Sequence, residues 1–135
     1  MYKNILIPVV FDEQHDTQAS FLVARALAAD DAKFTVMHVV EAIPDFIVNQ
    51  IPSELLANTR GESEKTLKEA ASALPGAKTC LLSGHPGHSI NDYASANGID
   101  CIILASHRPG LEDVFLGSTA ARVVRHANCA VHVIR

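Results

Sequence analysis

Five short, largely apolar runs recur along the 135-residue sequence, and a segment with helical periodicity separates each run from the next. Continuous apolar strands without alternation are typical of parallel sheets, which are buried on both faces. The runs are residues 2–10, 34–40, 77–82, 101–104 and 130–134. This order predicts an α/β fold, with residues 1–135 forming one domain around a five-stranded parallel sheet that carries helices on both faces.

The segments between the runs carry helix start and stop signals. The first helix is expected to close at Asp30-Asp31, and the longest is expected to run from Ser53 to about Leu74. A third helix, capped by Ser89, is expected to end at Asn97-Gly98, a pair that suits a left-handed C-cap. Residues 41–52 contain two prolines and are expected to be irregular, either as a flap or as part of a partner surface.

Composition narrows the classes of function. A formal net charge of −4 disfavours nonspecific nucleic-acid binding, which needs a basic surface. The apolar runs are too short to cross a bilayer, and the first residues do not follow a signal-peptide plan, so a cytoplasmic protein without membrane contact is expected. The three cysteines, Cys80, Cys101 and Cys129, form no CxxC pair and are expected to be free structural thiols.

The last third of the chain suggests an anion site. A polar loop containing Arg108 follows the fourth run and closes on Gly117-Ser118-Thr119, where a helix is expected to begin. The first N–H groups of a helix lack internal partners and carry a partial positive charge, so they attract phosphate. The alternative is an ordinary strand–loop–helix connection in which Ser118 is a plain N-cap. Farther along this helix, Arg122 and Arg125 are expected to face water.

The same segment closely resembles the C-terminal signature of universal stress proteins, whose nucleotide-binding members carry Gly-x-x-Gly, nine residues, and then Gly-Ser or Gly-Thr. Ala105-Ser106-His107-Arg108 occupies the first place and Gly117-Ser118 the second, with eight residues between them. The Ser106–Pro109 run resembles the subgroup with a Ser-His-Arg-Pro loop, which is associated with ATP. Because Lys3–Pro8 also matches, the resemblance covers the whole chain and implies a Rossmann-like universal stress protein fold.

The resemblance implies where a nucleotide would bind. Its phosphates would lie over the start of the last helix, and its base would lie between the ends of the first two strands, where Val39 offers backbone groups. The implied ligand is ATP, AMP or ADP, bound with or without Mg²⁺. The implied contact residues are Pro8, Val9, Val10, Val39, Ser106, Arg108, Gly110, Gly117, Ser118 and Thr119.

One residue departs from the family pattern. After the first strand, universal stress proteins usually carry Pro-x-Asp, and this sequence has Pro8-Val9-Val10. The substitution removes a polar contact and leaves an apolar wall. Asp12 lies two residues beyond Val10, and this offset changes the reach of its carboxylate.

Three functions therefore remain open. The first is a stress-response module that binds an adenine nucleotide and changes its affinity for a partner. The second is a nucleotide-free interaction protein with a degenerate pocket. The third is a slow ATPase or self-phosphorylating protein, for which Asp12 is the candidate metal ligand. The sequence names no catalytic base or nucleophile, since it has neither a Walker A motif nor a Gly-x-Ser-x-Gly elbow.

Two further expectations concern metals and partners. His85 and His88 have a spacing that could hold a metal, but no cysteine or carboxylate is grouped with them, so no metal site is predicted. The C-terminal strand, Ala130–Ile134, is apolar and expected at a sheet edge, where unpaired backbone groups favour a partner strand. A homodimer through this strand is also what the family resemblance implies.

Overall fold

The computed structural model of the protein describes residues 1–10, 17–105 and 117–135. Its strands are β1 (Tyr2–Pro8), β2 (Ala28–Glu41), β3 (Lys78–Gly84), β4 (Cys101–Ala105) and β5 (Ala130–Ile134). Its helices are α1 (Thr17–Leu27), α2 (Asp45–Val48), α3 (Ser53–Ala71), α4 (Pro86–Ala96) and α5 (Ser118–His126). The strands form one parallel sheet in the order β3-β2-β1-β4-β5, so the predicted α/β fold is confirmed.

Helices cover both faces of the sheet because the central strands are apolar on both sides. Successive residues of β1 and β4 contribute to two separate cores, as the alternation of a strand requires. One core packs α1 and α3 against the sheet and includes Ile5, Ile7, Phe21, Leu67 and Ile103. The other packs α4 and α5 against the opposite face and includes Leu6, Met37, Ile90, Ile102 and Val123.

Side-chain and backbone hydrogen bonds join the amino ends of β1 and β4. The Asp100 carboxylate accepts from the backbone N–H groups of Lys3 at 2.8 Å and Asn4 at 3.0 Å. The Asn4 amide donates to the carbonyl oxygens of Asn97 at 2.9 Å and Gly98 at 3.2 Å. We call this group (Lys3, Asn4, Asn97, Gly98 and Asp100) the amino-end clamp. It fixes the two strands that flank the point where strand order reverses.

The end of α4 follows the sequence prediction. Gly98 has φ +65°, and the N–H of Ile99 donates to the carbonyl of Ala94 at 3.1 Å, which is the long bond of a Schellman cap. Asn97 adds a side-chain hydrogen bond to the carbonyl of Tyr93. The cap turns the chain directly into the amino-end clamp.

Three features differ from the sequence prediction. Helix α1 ends at Leu27 rather than at Asp30-Asp31, because Ala28 already pairs with Tyr2, and the two aspartates lie exposed in a register irregularity of β2. Helix α4 begins at Pro86 with His85 as its N-cap, since a proline lacks the N–H that would need an acceptor in the first turn, and Ser89 lies inside this helix. The segment 41–52, predicted to be irregular, contains the short helix α2.

The two outer strands of the sheet are β3 and β5, which confirms the predicted edge position of the C-terminal strand. Arg60, on α3, donates to the Leu81 carbonyl at 3.4 Å and to the Ser83 hydroxyl at 3.3 Å, so a charged side chain lies on β3. Glu64 pairs with this guanidinium at 3.7 Å. A charge on an edge strand opposes pairing with a further strand.

Candidate functional site

A cavity of about 560 Å³ opens where β2 and β3 end and continues along one side of α5. The carboxyl ends of parallel strands are where α/β proteins place their ligands. The cavity is lined by Glu41, Ala42, Gly84, His85, Pro86, Ser118, Thr119, Ala121, Arg122, Arg125 and His126. Two of the residues predicted from the sequence, Ser118 and Thr119, are therefore part of its wall.

The start of α5 leaves its first amides available. Gly117 is the N-cap, and glycine has no side chain with which to accept from the first turn. The alternative in which Ser118 is a plain N-cap is therefore wrong, because Ser118 is already the first helical residue. Within the described ranges, no hydrogen bond from outside the helix reaches the N–H groups of Ser118, Thr119 or Ala120. These donors carry the positive end of the helix dipole.

Cationic side chains of α5 extend this positive region. Ser118, Arg122 and Arg125 lie four and three residues apart, so they share one face of the helix. That face lines the cavity, together with His126. Neither arginine forms an ion pair or hydrogen bond with another described residue. The sequence predicted that Arg122 and Arg125 face water, and no sequence signal indicated the cavity that they line.

Close packing between α4 and α5 positions Arg122. A Cβ atom placed on Gly87 would lie 2.6 Å from Cδ and 3.1 Å from Cβ of Arg122. The absence of a side chain at Gly87 therefore lets the aliphatic stem of the arginine lie against the first turn of α4. Gly84, which lines the cavity, has φ +148°, a conformation that favours glycine.

The start of α4 forms another part of the cavity wall. The Nδ1 atom of His85 accepts a long hydrogen bond of 3.4 Å from the N–H of His88, and the two rings lie edge to face with centroids 4.8 Å apart. His85 lines the cavity. Over residues 1–10, 17–105 and 117–135, no group of three or more His, Cys, Asp or Glu side chains could hold a metal ion. The histidine pair acts here as a helix cap.

The turn after β1 is held against β2 and has an apolar surface. The N–H of Val9 donates to the carbonyl of Met37 at 2.7 Å, and the carbonyl of Val9 lies 2.9 Å from Nδ1 of His38. Because a carbonyl only accepts, this ring nitrogen carries the hydrogen. Val9 is buried, whereas Val10, in the place of the family aspartate, is 45% exposed.

Val39 lies next to the end of β1 and has backbone groups facing it. Its N–H and C=O point to the same side of β2 as those of Met37, which accepts from Val9, because backbone groups alternate along a strand. Pro8 is the last residue of β1 and pairs with Met37. Within the described part of the chain, no hydrogen bond continues this ladder from Val39 to Val9.

The sequence-predicted site is therefore only partly assembled in the cavity. Ser118 and Thr119 line it, and Gly117 immediately precedes them. The residues at the strand ends, Pro8, Val9, Val10 and Val39, are not among those that line it. Ser106, Arg108 and Gly110, together with Asp12, lie outside the described residues.

The three cysteines are free and avoid the cavity. Cys101 belongs to the core beneath α1 and α3, whereas Cys129 packs against the core beneath α4 and α5, so the two thiols face opposite sides of the sheet. Burial raises the pKa of Cys101 to about 11, with smaller contributions from the neighbouring Cys129 thiol and the Asp100 carboxylate. Burial also raises the pKa of Cys80 and of Cys129. Raised pKa values suppress thiolate chemistry.

Comparison with known proteins gives consistent matches over the whole chain. The model of the universal stress protein family matches residues 1–135. A curated universal stress protein from Thermus aquaticus, encoded in the QAH/OAS sulfhydrylase 3′ region, is 30% identical over 139 residues and covers 100% of both chains.

Solved structures extend the match to the fold. The universal stress protein UspA from Lactobacillus plantarum is 33% identical, with a TM-score of 0.76 over 99% of this chain and 98% of that one. A universal stress protein from Archaeoglobus fulgidus in complex with dAMP has a TM-score of 0.70 at 19% identity, over 99% of this chain and 98% of that one, and so shares the fold. None of the described helices is long and apolar enough to cross a membrane.

Proposed function

The chain belongs to the universal stress protein family, and from that membership and the geometry of the cavity we propose that it binds an adenine nucleotide where its strands end. The observation that carries the proposal is the start of α5, where the amides of Ser118 and Thr119 open into the cavity without a capping side chain. Bare amides at a helix start bind phosphate through both hydrogen bonds and the helix dipole.

The base would contact the ends of β1 and β2. Val39 offers an N–H and a C=O that face the end of β1, and the Val9-Val10 turn offers apolar surface to a flat ring. Backbone groups can hydrogen-bond the edge of an adenine without a polar side chain. The A. fulgidus protein, which shares this fold, binds dAMP, and this supports an adenine nucleotide as the ligand class. We propose ATP, AMP or ADP as the ligand, with Mg²⁺ accompanying a polyphosphate.

The proposed role is regulatory rather than catalytic. Positioned bases and nucleophiles are what enzymes need for turnover, and none of the described side chains around the cavity forms a nucleophile–base pair. A bound nucleotide would connect the start of α5 to the ends of β1 and β2. Occupancy would then change the surface available to a partner in a cytoplasmic stress response, since a ligand shifts an equilibrium by binding one state more tightly.

Isothermal titration of the protein with ATP tests the proposal. We expect saturable heat with one site per chain, and loss of that heat in Gly117→Leu, whose side chain would obstruct the approach to the α5 amides. Gly61→Leu is the matched control, because a side chain at Gly61 meets nothing within 4 Å and the site lies in the middle of α3. If saturating ATP gave no heat with the wild-type protein and did not change its melting temperature, the nucleotide-free alternative would be supported. That alternative arises because Val10 stands where universal stress proteins usually carry an aspartate.

We also propose that two copies associate through β5. This strand is a sheet edge that contains Val131, Val133 and Ile134. The unpaired backbone groups of an edge strand favour addition of a further strand. Sedimentation equilibrium should give the mass of two chains. A mass of one chain throughout the micromolar range would contradict this proposal.

A further inference from the structure

The arginines on the cavity face of α5 are placed to do more than hold one phosphate. Arg122 lies one helical turn beyond Ser118, which is about 5–6 Å along the helix axis, and Arg125 lies almost one turn farther. Side chains on a helix lean towards its N-terminus, and both arginines line the same cavity as Ser118 and Thr119. The amides and the arginines therefore form successive anion-binding positions along one wall.

The balance of charge within the cavity favours a ligand with more than one negative group. Its lining contains two arginines and two histidines but a single acidic side chain, Glu41. Neither arginine has an ion-pair partner among the described residues. A single phosphate on the α5 amides would leave both guanidinium groups without a counter-charge. A second and third phosphate would give each of them a forked, charge-assisted contact.

Arg122 is also partly preorganised. Its stem packs against Gly87, where even a methyl group would come within 2.6 Å of Cδ, and the residue is half-buried. Arginine loses much side-chain freedom when it binds a ligand, and a stem that is already held reduces this cost. Contact between the Arg122 guanidinium and a phosphate should therefore cost less entropy than contact by an arginine whose stem is free.

We propose that Arg122 and Arg125 discriminate between nucleotides by the number of phosphates they carry. This inference rests on the proposed nucleotide binding. Through these arginines the site selects nucleoside di- and triphosphates over monophosphates. The adenine and the first phosphate would contribute equally to the binding of AMP and ATP. The two arginines would act only on the phosphates beyond the first, so they set the ratio of the two affinities.

Calorimetric titration of AMP and ATP without divalent metal tests this inference. The wild type should bind ATP about tenfold or more tightly than AMP, because charge-assisted contacts exceed neutral ones in strength. In the Arg122→Met/Arg125→Met double variant the ratio should approach one while the affinity for AMP stays within about twofold. Methionine retains an unbranched stem that can lie against Gly87. Arg25→Met, on α1 at the opposite face of the sheet, removes a charge outside the cavity and should preserve the ratio.

The outcomes separate the two proposals. If AMP and ATP bind the wild type equally, or if the ratio survives in the double variant, the reading of phosphate number is overturned and nucleotide binding stands. If neither nucleotide binds the wild type, both proposals fall.

Arg122→Lys keeps the positive charge but cannot donate two parallel hydrogen bonds to one phosphate, and it should give an intermediate ratio of ATP to AMP affinity. Melting temperatures of all variants exclude unfolding as the cause, and the wild-type ratio alone decides the matter if a variant does not fold.

Discussion

The amino ends and the carboxyl ends of the strands are built in opposite ways. At the amino ends of β1 and β4, Asp100 accepts two backbone hydrogen bonds and Asn4 donates two more, so the clamp pairs its polar groups within the protein. At the carboxyl ends, the first amides of α5 and the guanidinium groups of Arg122 and Arg125 have no partner among the described residues. One end satisfies its polar groups internally, and the other presents them to a cavity.

This difference separates stability from binding within one small domain. Unsatisfied polar groups weaken a fold unless water or a ligand pairs with them, so they are best kept at one location. The clamp holds β1 and β4, the strands between which the order reverses, and thereby supports the cavity from the opposite end of the sheet. Changes at the clamp should lower stability with little effect on ligand affinity, and changes around the cavity should do the reverse.

The largest expected effect is on stability, at the clamp. Asp100→Ala leaves the N–H groups of Lys3 and Asn4 without their carboxylate and should lower the free energy of unfolding by about 2 kcal/mol. Affinity for ATP should stay within about twofold. Chemical denaturation and calorimetry measure the two quantities. Asp92→Ala, at an exposed position on α4, is the control and should change stability by less than about 0.5 kcal/mol. Equal decreases in the free energy of unfolding of Asp100→Ala and Asp92→Ala would contradict the structural role of the clamp.

A smaller effect, on both quantities, is expected where the two helices meet beside the cavity. Gly87→Ala forces a methyl group against the stem of Arg122, so we expect a loss of about 1.5 kcal/mol in stability and weaker ATP binding. Gly61→Ala is the same chemical change in open space on α3 and should instead stabilise the protein by about 1 kcal/mol. The opposite signs are measurable by thermal denaturation. A neutral Gly87→Ala with unchanged affinity would contradict the positioning of Arg122.

The smallest effect is a loss of stability in alkaline solution, again from the amino ends of the strands. Burial raises the pKa of Cys101 from 9.0 to about 11, so above pH 9 the unfolded chain releases this proton while the folded chain retains it. The stability present below pH 9 should therefore decline between pH 9 and 11, by about 1 kcal/mol at pH 10. Denaturation curves of wild type and Cys101→Ala measure it. The wild type should show the steeper decline, and parallel profiles would contradict the assignment.

The sequence predicts the sheet well because its signals are local. Unbroken apolar runs identify the five strands, and Asn97-Gly98 identifies the end of α4. The start of β2 was misplaced because the pairing of Tyr2 with Ala28 is a contact between distant residues, and it overrides the helix-breaking preference of Asp30-Asp31. Tertiary pairing of this kind has no signature in a single sequence window.

The site was less predictable for a similar reason. The position of a helix start predicts that Ser118 and Thr119 belong to the site. The helical periodicity, in contrast, predicts only that Arg122 faces water. Its place in the cavity depends on how closely α4 approaches α5 at Gly87. The clamp between Asn4 and Asp100 was likewise missed, since the two residues are 96 positions apart. The functions of Ser106, Arg108 and Gly110 stay predictions.

Amide chemical shifts of isotope-labelled protein, recorded during titration with ATP, test the central claim most directly. We expect the N–H signals of Ser118, Thr119 and Ala120 to move with ATP concentration, because phosphate would bind those donors. The signals of Lys3, Asn4 and Asp100 should stay where they are. Shifts confined to the clamp, or no shifts at the start of α5 at saturating ATP, would contradict the division of the molecule into a stabilising end and a binding end.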